Sequence, residues 1–162
     1  MALRLNDTRK RTLMFPAKYR IHAFLIVISL VIIIYPQLSK KPDEQRLEAS
    51  RIAVAAFLEQ IDAGQYAQSW DTASAYMKND IPREQWIAQL TETREQVGKL
   101  VERTEEKHLY ANNLEEKKGV PAGEYFTFIY SAKYEKRDEV RETVTLMFEK
   151  DKVWRVAGYF TK

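Results

Sequence analysis

Apolar and polar positions alternate along this chain with three different periods, and each period predicts a different kind of element. From Ile21 to Leu38, "IHAFLIVISLVIIIYPQL", there is no polar face at all and no Asp, Glu, Lys or Arg. Beyond "SKKPDEQ" the pattern becomes helical: Leu47, Val54, Leu58 and Ile61 share one face with Phe57 at its margin, and Gly64 supplies a stop. Tyr66, Trp70, Ala73 and Met77 then recur at helical spacing and predict a second short helix with both aromatics on its buried stripe. Asp80 is placed to cap a third helix, with Pro82 in its first turn and Trp86, Leu90 and Val97 on its apolar face before Gly98.

From about Val101 the period falls to two. An early strand is expected over Val101 to Leu114, followed by the longer loop "EEKKGVPAG". "EYFTFIYSAKYEK" puts Phe126, Phe128, Tyr130, Ala132 and Tyr134 on one side, and "EVRETVTLMFEK" puts Val140, Val144, Leu146 and Phe148 together. The connectors "KRDE" and "KDK" are of hairpin length, and "VWRVAGYFT" makes the last strand. The expected class is α+β, with an N-terminal transmembrane helix and then three helices packed on a curved four-stranded antiparallel sheet.

The uncharged run would rise about 27 Å as a helix, enough for the hydrocarbon of a bilayer. No A-x-A-like cleavage pattern follows it, which favours a retained anchor over a cleaved signal peptide. Arg4, Arg9, Lys10, Arg11, Lys18 and Arg20 precede the run, so the positive-inside rule puts the N-terminus in the cytoplasm. The expected organisation is a basic cytoplasmic arm (1–20), a transmembrane anchor (21–38), a linker (39–44) and an extracytoplasmic domain (45–162). For a Gram-negative source that means a single-pass inner-membrane protein with its main domain in the periplasm.

Charge follows the same division. The net charge of the 162 residues is +3, but the first 41 hold eight Lys/Arg and one acid, leaving 18 Lys/Arg against 22 Asp/Glu in the remainder. A slightly acidic folded part does not suit a phosphate backbone, so no nucleic-acid partner is expected. Cysteine is absent, which excludes disulfides, thiolate catalysis and cysteine-ligated metals.

Several separated motifs carry a resemblance: F-L-x-x-I-D-x-G-x-Y-x-x-S-W, then R-E-Q-W, G-E-Y before an aromatic strand, E-T-V-T-L, and the ending W-R-V-A-G-Y-F. In that order they resemble the bacterial family called domain of unknown function 4019, over roughly residues 45 to 162. The resemblance implies a cone similar to the cystatin-like and nuclear-transport-factor-2-like folds, in which a curved sheet wraps around helices, and a location outside the cytoplasm. It implies no catalytic residues.

Candidate chemistry is therefore weighed residue by residue. Asp62, Asp71, His108 and Tyr125 are the acid, base or pocket candidates a cone could use. Against three of them stands a plainer role: a helix-end or turn carboxylate for Asp62, a solvated helix position for Asp71, and a surface or satisfied histidine for His108. A lone histidine in the folded part rules out a histidine-rich metal site, and no calcium-loop spacing is present. No metal or cofactor is expected. P-loop, dinucleotide-fold, nucleophile-elbow and zinc-helix signatures are missing. The sequence points to a non-catalytic accessory or assembly subunit of an inner-membrane complex, with the bilayer and other subunits as partners. The alternative is a periplasmic small-ligand-binding protein or a cone-fold isomerase or hydrolase without short motifs.

Overall fold

The computed structural model describes residues 42–114 and 120–162. The basic arm, the apolar run Ile21–Leu38 and the first half of the linker, 39–41, lie outside the described residues. Among the described residues no helix is long and apolar enough to cross a membrane.

The first helix, α1 (Glu44–Asp62), starts where the Asp43 carboxylate accepts the Gln45 amide at 3.3 Å, with Glu44 in the first turn facing the positive end of the dipole. It buries Val54, Phe57, Leu58 and Ile61, as the spacing predicts. Gly64, at φ +72°, reverses the chain.

The second predicted helix is two helices: α2 (Tyr66–Asp71) and α3 (Ala75–Asp80). Ser74 causes the break. Its hydroxyl caps the Met77 amide at 3.1 Å and its own amide donates to Val156 O at 2.9 Å, pinning the turn to the sheet. Ala73 and Met77 are still buried, so the periodicity marked burial correctly and continuity wrongly. Asp80 does not cap the next helix; it is the last residue of α3, and Pro82 precedes α4 (Arg83–Val97) without a side-chain cap. The molecule thus has four helices among the described residues rather than three.

Gly98 ends α4 at φ +80°, where a Cβ would lie 3.1 Å from Glu135 Cβ. Glycine is required there on both counts.

Strands β1 (Leu100–Leu114), β2 (Gly123–Tyr134), β3 (Arg137–Phe148) and β4 (Trp154–Thr161) form an open antiparallel sheet in the order 1-2-3-4. Phe126 stands opposite Leu146, and Leu146 opposite Val156; Phe128, Val144 and Tyr159 make the next row. Three register shifts along β1, one in the β2–β3 pairing and one in the β3–β4 pairing bend the strands.

The inward row of β2, Phe126 to Tyr134, is buried as its alternation predicts. Phe126, Phe128 and Tyr130 of that row meet Val54, Phe57, Leu58 and Ile61 of α1, Met77 of α3, and Trp86 and Leu90 of α4 in one core, while Ala132 and Tyr134 pack with Val97 and Val140 in a second, smaller cluster. Phe57, Trp86 and Tyr159 pack at ring separations of 5.6 to 6.4 Å. The two indoles placed in the core by sequence differ. Trp86 is 2% exposed and donates to Ser69 Oγ, whereas Trp70 is half-buried at the margin, donating to Ile81 O.

Candidate functional site

One end of this interior is charged. Asp62 is the last residue of α1, where the helix dipole disfavours a carboxylate. Two arginines offset that. Asp62 Oδ1 accepts from Arg94 Nη2 of α4 and Arg103 Nη2 of β1, each at 2.9 Å, and Oδ2 accepts from Arg103 Nη1 at 2.6 Å.

Arg103 continues inward to Glu142 of β3, whose side chain is fully buried. Its Nε bonds Glu142 Oε2, and its Nη2 lies 3.3 Å from Oε1. Glu142 Oε1 also accepts the hydroxyls of Tyr134, at 2.7 Å, and Tyr159. The result is a chain of alternating charge, Arg94, Asp62, Arg103, Glu142, closed by two phenols. Each carboxylate oxygen in it has a donor, the condition under which a buried acid is tolerated.

The proton affinities follow. Burial works against the Arg103 cation, but hydrogen bonds from it to Asp62 and Glu142 outweigh that and its pKa is raised. Arg94 is raised in the same way, with burial opposing and the surrounding tyrosines and acids favouring the cation. Burial and the Glu142 charge push Tyr134 up to about 12 and Tyr159 well above the ordinary phenol value.

Beside this chain opens a cleft of about 420 Å³, where the ends of α1 and α4, the start of α2 and the β2–β3 turn meet. Asp62, Tyr66, Arg94, Glu95, Lys99 and Glu135 are among its lining residues.

Of the four candidates named from sequence, Asp62 alone lines this cleft. Asp71 sits on α2, more than half exposed, with Arg83 Nε at 3.1 Å; that hydrogen bond depresses its pKa. His108 is on β1, where its Nδ1 lies 2.9 Å from Glu105 Oε1 and 3.3 Å from Arg51 Nη2. Burial opposes the Glu105 charge, but hydrogen bonds from Arg51 and His108 more than offset it, so that carboxyl is lowered. Tyr125 is fully buried, donates to Pro121 O at 2.7 Å, and is pushed up to about 12 by burial. It points to the sheet face opposite that of Phe126. The candidates therefore belong to four separate local environments.

Sequence reasoning passed over Arg94, Arg103 and Glu142. A signal for Glu142 was present: in "EVRETVTLMF" it falls between Val140 and Val144 on the inward row, a charged residue at a core position. Among the described residues no group of His, Asp or Glu is arranged to hold a metal ion.

A family model described as protein of unknown function (DUF4019) matches residues 53–159. No curated protein matches the chain.

Proposed function

Because the chain belongs to the DUF4019 family, a membership that supplies no catalytic residue, we propose that it works by binding, as a membrane-anchored extracytoplasmic interaction domain and accessory subunit of an inner-membrane assembly. The observation that carries this reading is the state of its carboxylates. Asp62 is clamped by two arginines, Asp71 by Arg83 and Glu105 by Arg51, so the oxygens of each are committed to a guanidinium and shielded from the role of a poised base. Tyr125 is shut in the interior with its hydroxyl committed. On this reading the helices and bent sheet form a cystatin-like cone that serves as a rigid scaffold, and Ile21–Leu38 holds it at the bilayer with the N-terminus in the cytoplasm.

The test is to extract the full-length protein from native membranes in mild detergent, determine its mass, and identify what remains bound through size exclusion. The expected result is an intact chain with Ile21–Leu38 attached and a stoichiometric membrane-protein partner. A soluble species starting near Lys40, or a monomer carrying a bound small molecule and turning it over, would overturn the proposal.

A further inference from the structure

Arg94 is built as a structural residue on one side and left open on the other. Its side chain is only 12% exposed, and its guanidinium lies 4.7 Å over the Tyr134 ring. Yet among the described residues it makes one hydrogen bond, from Nη2 to Asp62. A guanidinium has further N–H donors on Nε and Nη1. They are not sealed in: the one buried side-chain polar atom without a partner among the described residues is Trp154 Nε1, elsewhere in the core. The unused donors of Arg94 are therefore open to water, and the residue lines the cleft.

Tyr66 also lines the cleft; it is half-buried, and its hydroxyl bonds to no described residue while feeling the charges of both Arg94 and Asp62. Lys99, on the rim, has no ion-pair partner among the described residues. An arginine with unused donors, a tyrosine and a lysine thus line one volume of about 420 Å³, within the range of small-molecule sites.

From this convergence we infer that the cleft is a binding site for a small monocarboxylate, received by the open edge of Arg94 and the hydroxyl of Tyr66. The planar fork matches a carboxylate in shape. A single negative charge also fits the electrostatics, because Asp62, Glu95 and Glu135 share the lining with Arg94, Lys99 and Lys136, which balances the fixed charges. A dianion such as phosphate would share the lining with three carboxylates and gain only the guanidinium edge of Arg94 and the Lys99 ammonium against them. This inference stands apart from the assembly role: a carboxylate site can exist with or without a protein partner.

The experiment is a titration of the detergent-solubilised full chain with acetate, butyrate and benzoate at constant ionic strength, followed calorimetrically, with chloride and inorganic phosphate as comparison anions. Saturable binding of a monocarboxylate and none of chloride or phosphate is expected. Tyr66→Phe, which removes a hydroxyl with no partner among the described residues, should leave the thermal midpoint unchanged and weaken binding about fivefold to tenfold. Arg94→Lys keeps the cation beside Asp62 and removes the fork, and should weaken binding by tenfold or more. No saturable binding by any of the three acids would overturn the inference. So would binding that phosphate matches, or binding that survives both substitutions in folded protein.

Discussion

The inner face of the sheet is built in two ways along its length. Around Phe126, Phe128, Val144 and Leu146 it is filled by apolar rings and branched chains from α1 and α4. A few residues further along the same strands, Glu142 and Arg103 bring charge into it, beside a smaller apolar cluster of Val97, Ala132, Tyr134 and Val140. The aromatic end is held by area removed from water, a non-directional term that tolerates small shifts. The ionic end is held by direction: each oxygen of Asp62 and Glu142 has an assigned donor, so the positions of α1, α4, β1 and β3 are fixed relative to one another. It is also the end that opens into a cleft, because charged groups at a margin keep part of their hydration.

The sharpest way to break the comparison is at its aromatic end. Trp86→Ala removes a 2% exposed indole that packs on Phe57 and Tyr159 and should cost about 3 to 5 kcal/mol by chemical denaturation. Trp70→Ala should cost clearly less, since that ring is half-buried with Lys78 above it at 5.5 Å. Equal losses would mean that the margin of the core is as tightly built as its centre.

At the ionic end, Glu142→Gln keeps shape and removes the charge that Arg103 and both phenols address. The cost should be about 3 kcal/mol, the lower end for breaking a buried pair, because Asp62 still faces Arg103. A double substitution with Arg103→Met should recover part of the loss, since removing both charges avoids an unpaired one. A Glu142→Gln variant as stable as the parent would show that the network is decorative.

How much of this was legible in the sequence differs between the two ends. Period-two runs gave the strands to within about two residues, although Thr127 and Ile129, between members of the row Phe126 to Tyr134, are buried as well. The helix break at Ser74 was hidden: Ala73 and Met77 continue the apolar spacing, and only the Ser74 cap and its bond to Val156 separate α2 from α3. The ionic chain was hidden further. Asp62 and Arg103 are 41 residues apart, and Arg103 and Glu142 are 39 apart, so their meeting depends on strand order and on a β1 register that shifts near its start. What could be read was a single misfit, Glu142 on an apolar row. A charge at a core position predicts a buried partner without naming it.

Alkaline pH should distinguish the ends more gently. Tyr134 and Tyr130 are pushed up to about 12, mainly by burial. A raised folded pKa means that the unfolded chain loses its phenolic protons first. The stability they contribute is then complete below the ordinary phenol value of 10.0 and is lost as pH rises from there through about 12. Denaturation midpoints should be flat at neutral pH and fall across that window, with phenolate absorbance appearing in step with unfolding. Tyr134→Phe should lessen the fall, because its phenol no longer titrates beside Glu142. A phenolate signal that develops fully in the folded state near pH 10 would mean that these rings are not buried as described.

The smallest expected effect belongs to a carboxylate outside both ends. Asp71 and Asp62 each terminate a helix and each face arginine, yet their surroundings differ. The Asp71 side chain is 54% exposed and that of its Arg83 partner 40%, whereas the Asp62 side chain is 25% exposed between arginine side chains that are 11 and 12% exposed. Water screens the first pair and reaches the second poorly, so the same chemical change should have unequal consequences. The depressed pKa of Asp71 makes its contribution present above the ordinary value of 3.8 and lost as pH falls below it. For so exposed a group that contribution is slight. Asp71→Asn should shift the thermal midpoint by no more than replicate scatter at neutral pH, and added salt should erase what shift there is. Asp62→Asn should lower the midpoint measurably, with little sensitivity to salt, because it leaves Arg94 and Arg103 facing each other across a neutral amide. If the two variants melt alike, the ion pairs at the cleft are no more than surface pairs, and the directional account of that end fails with them.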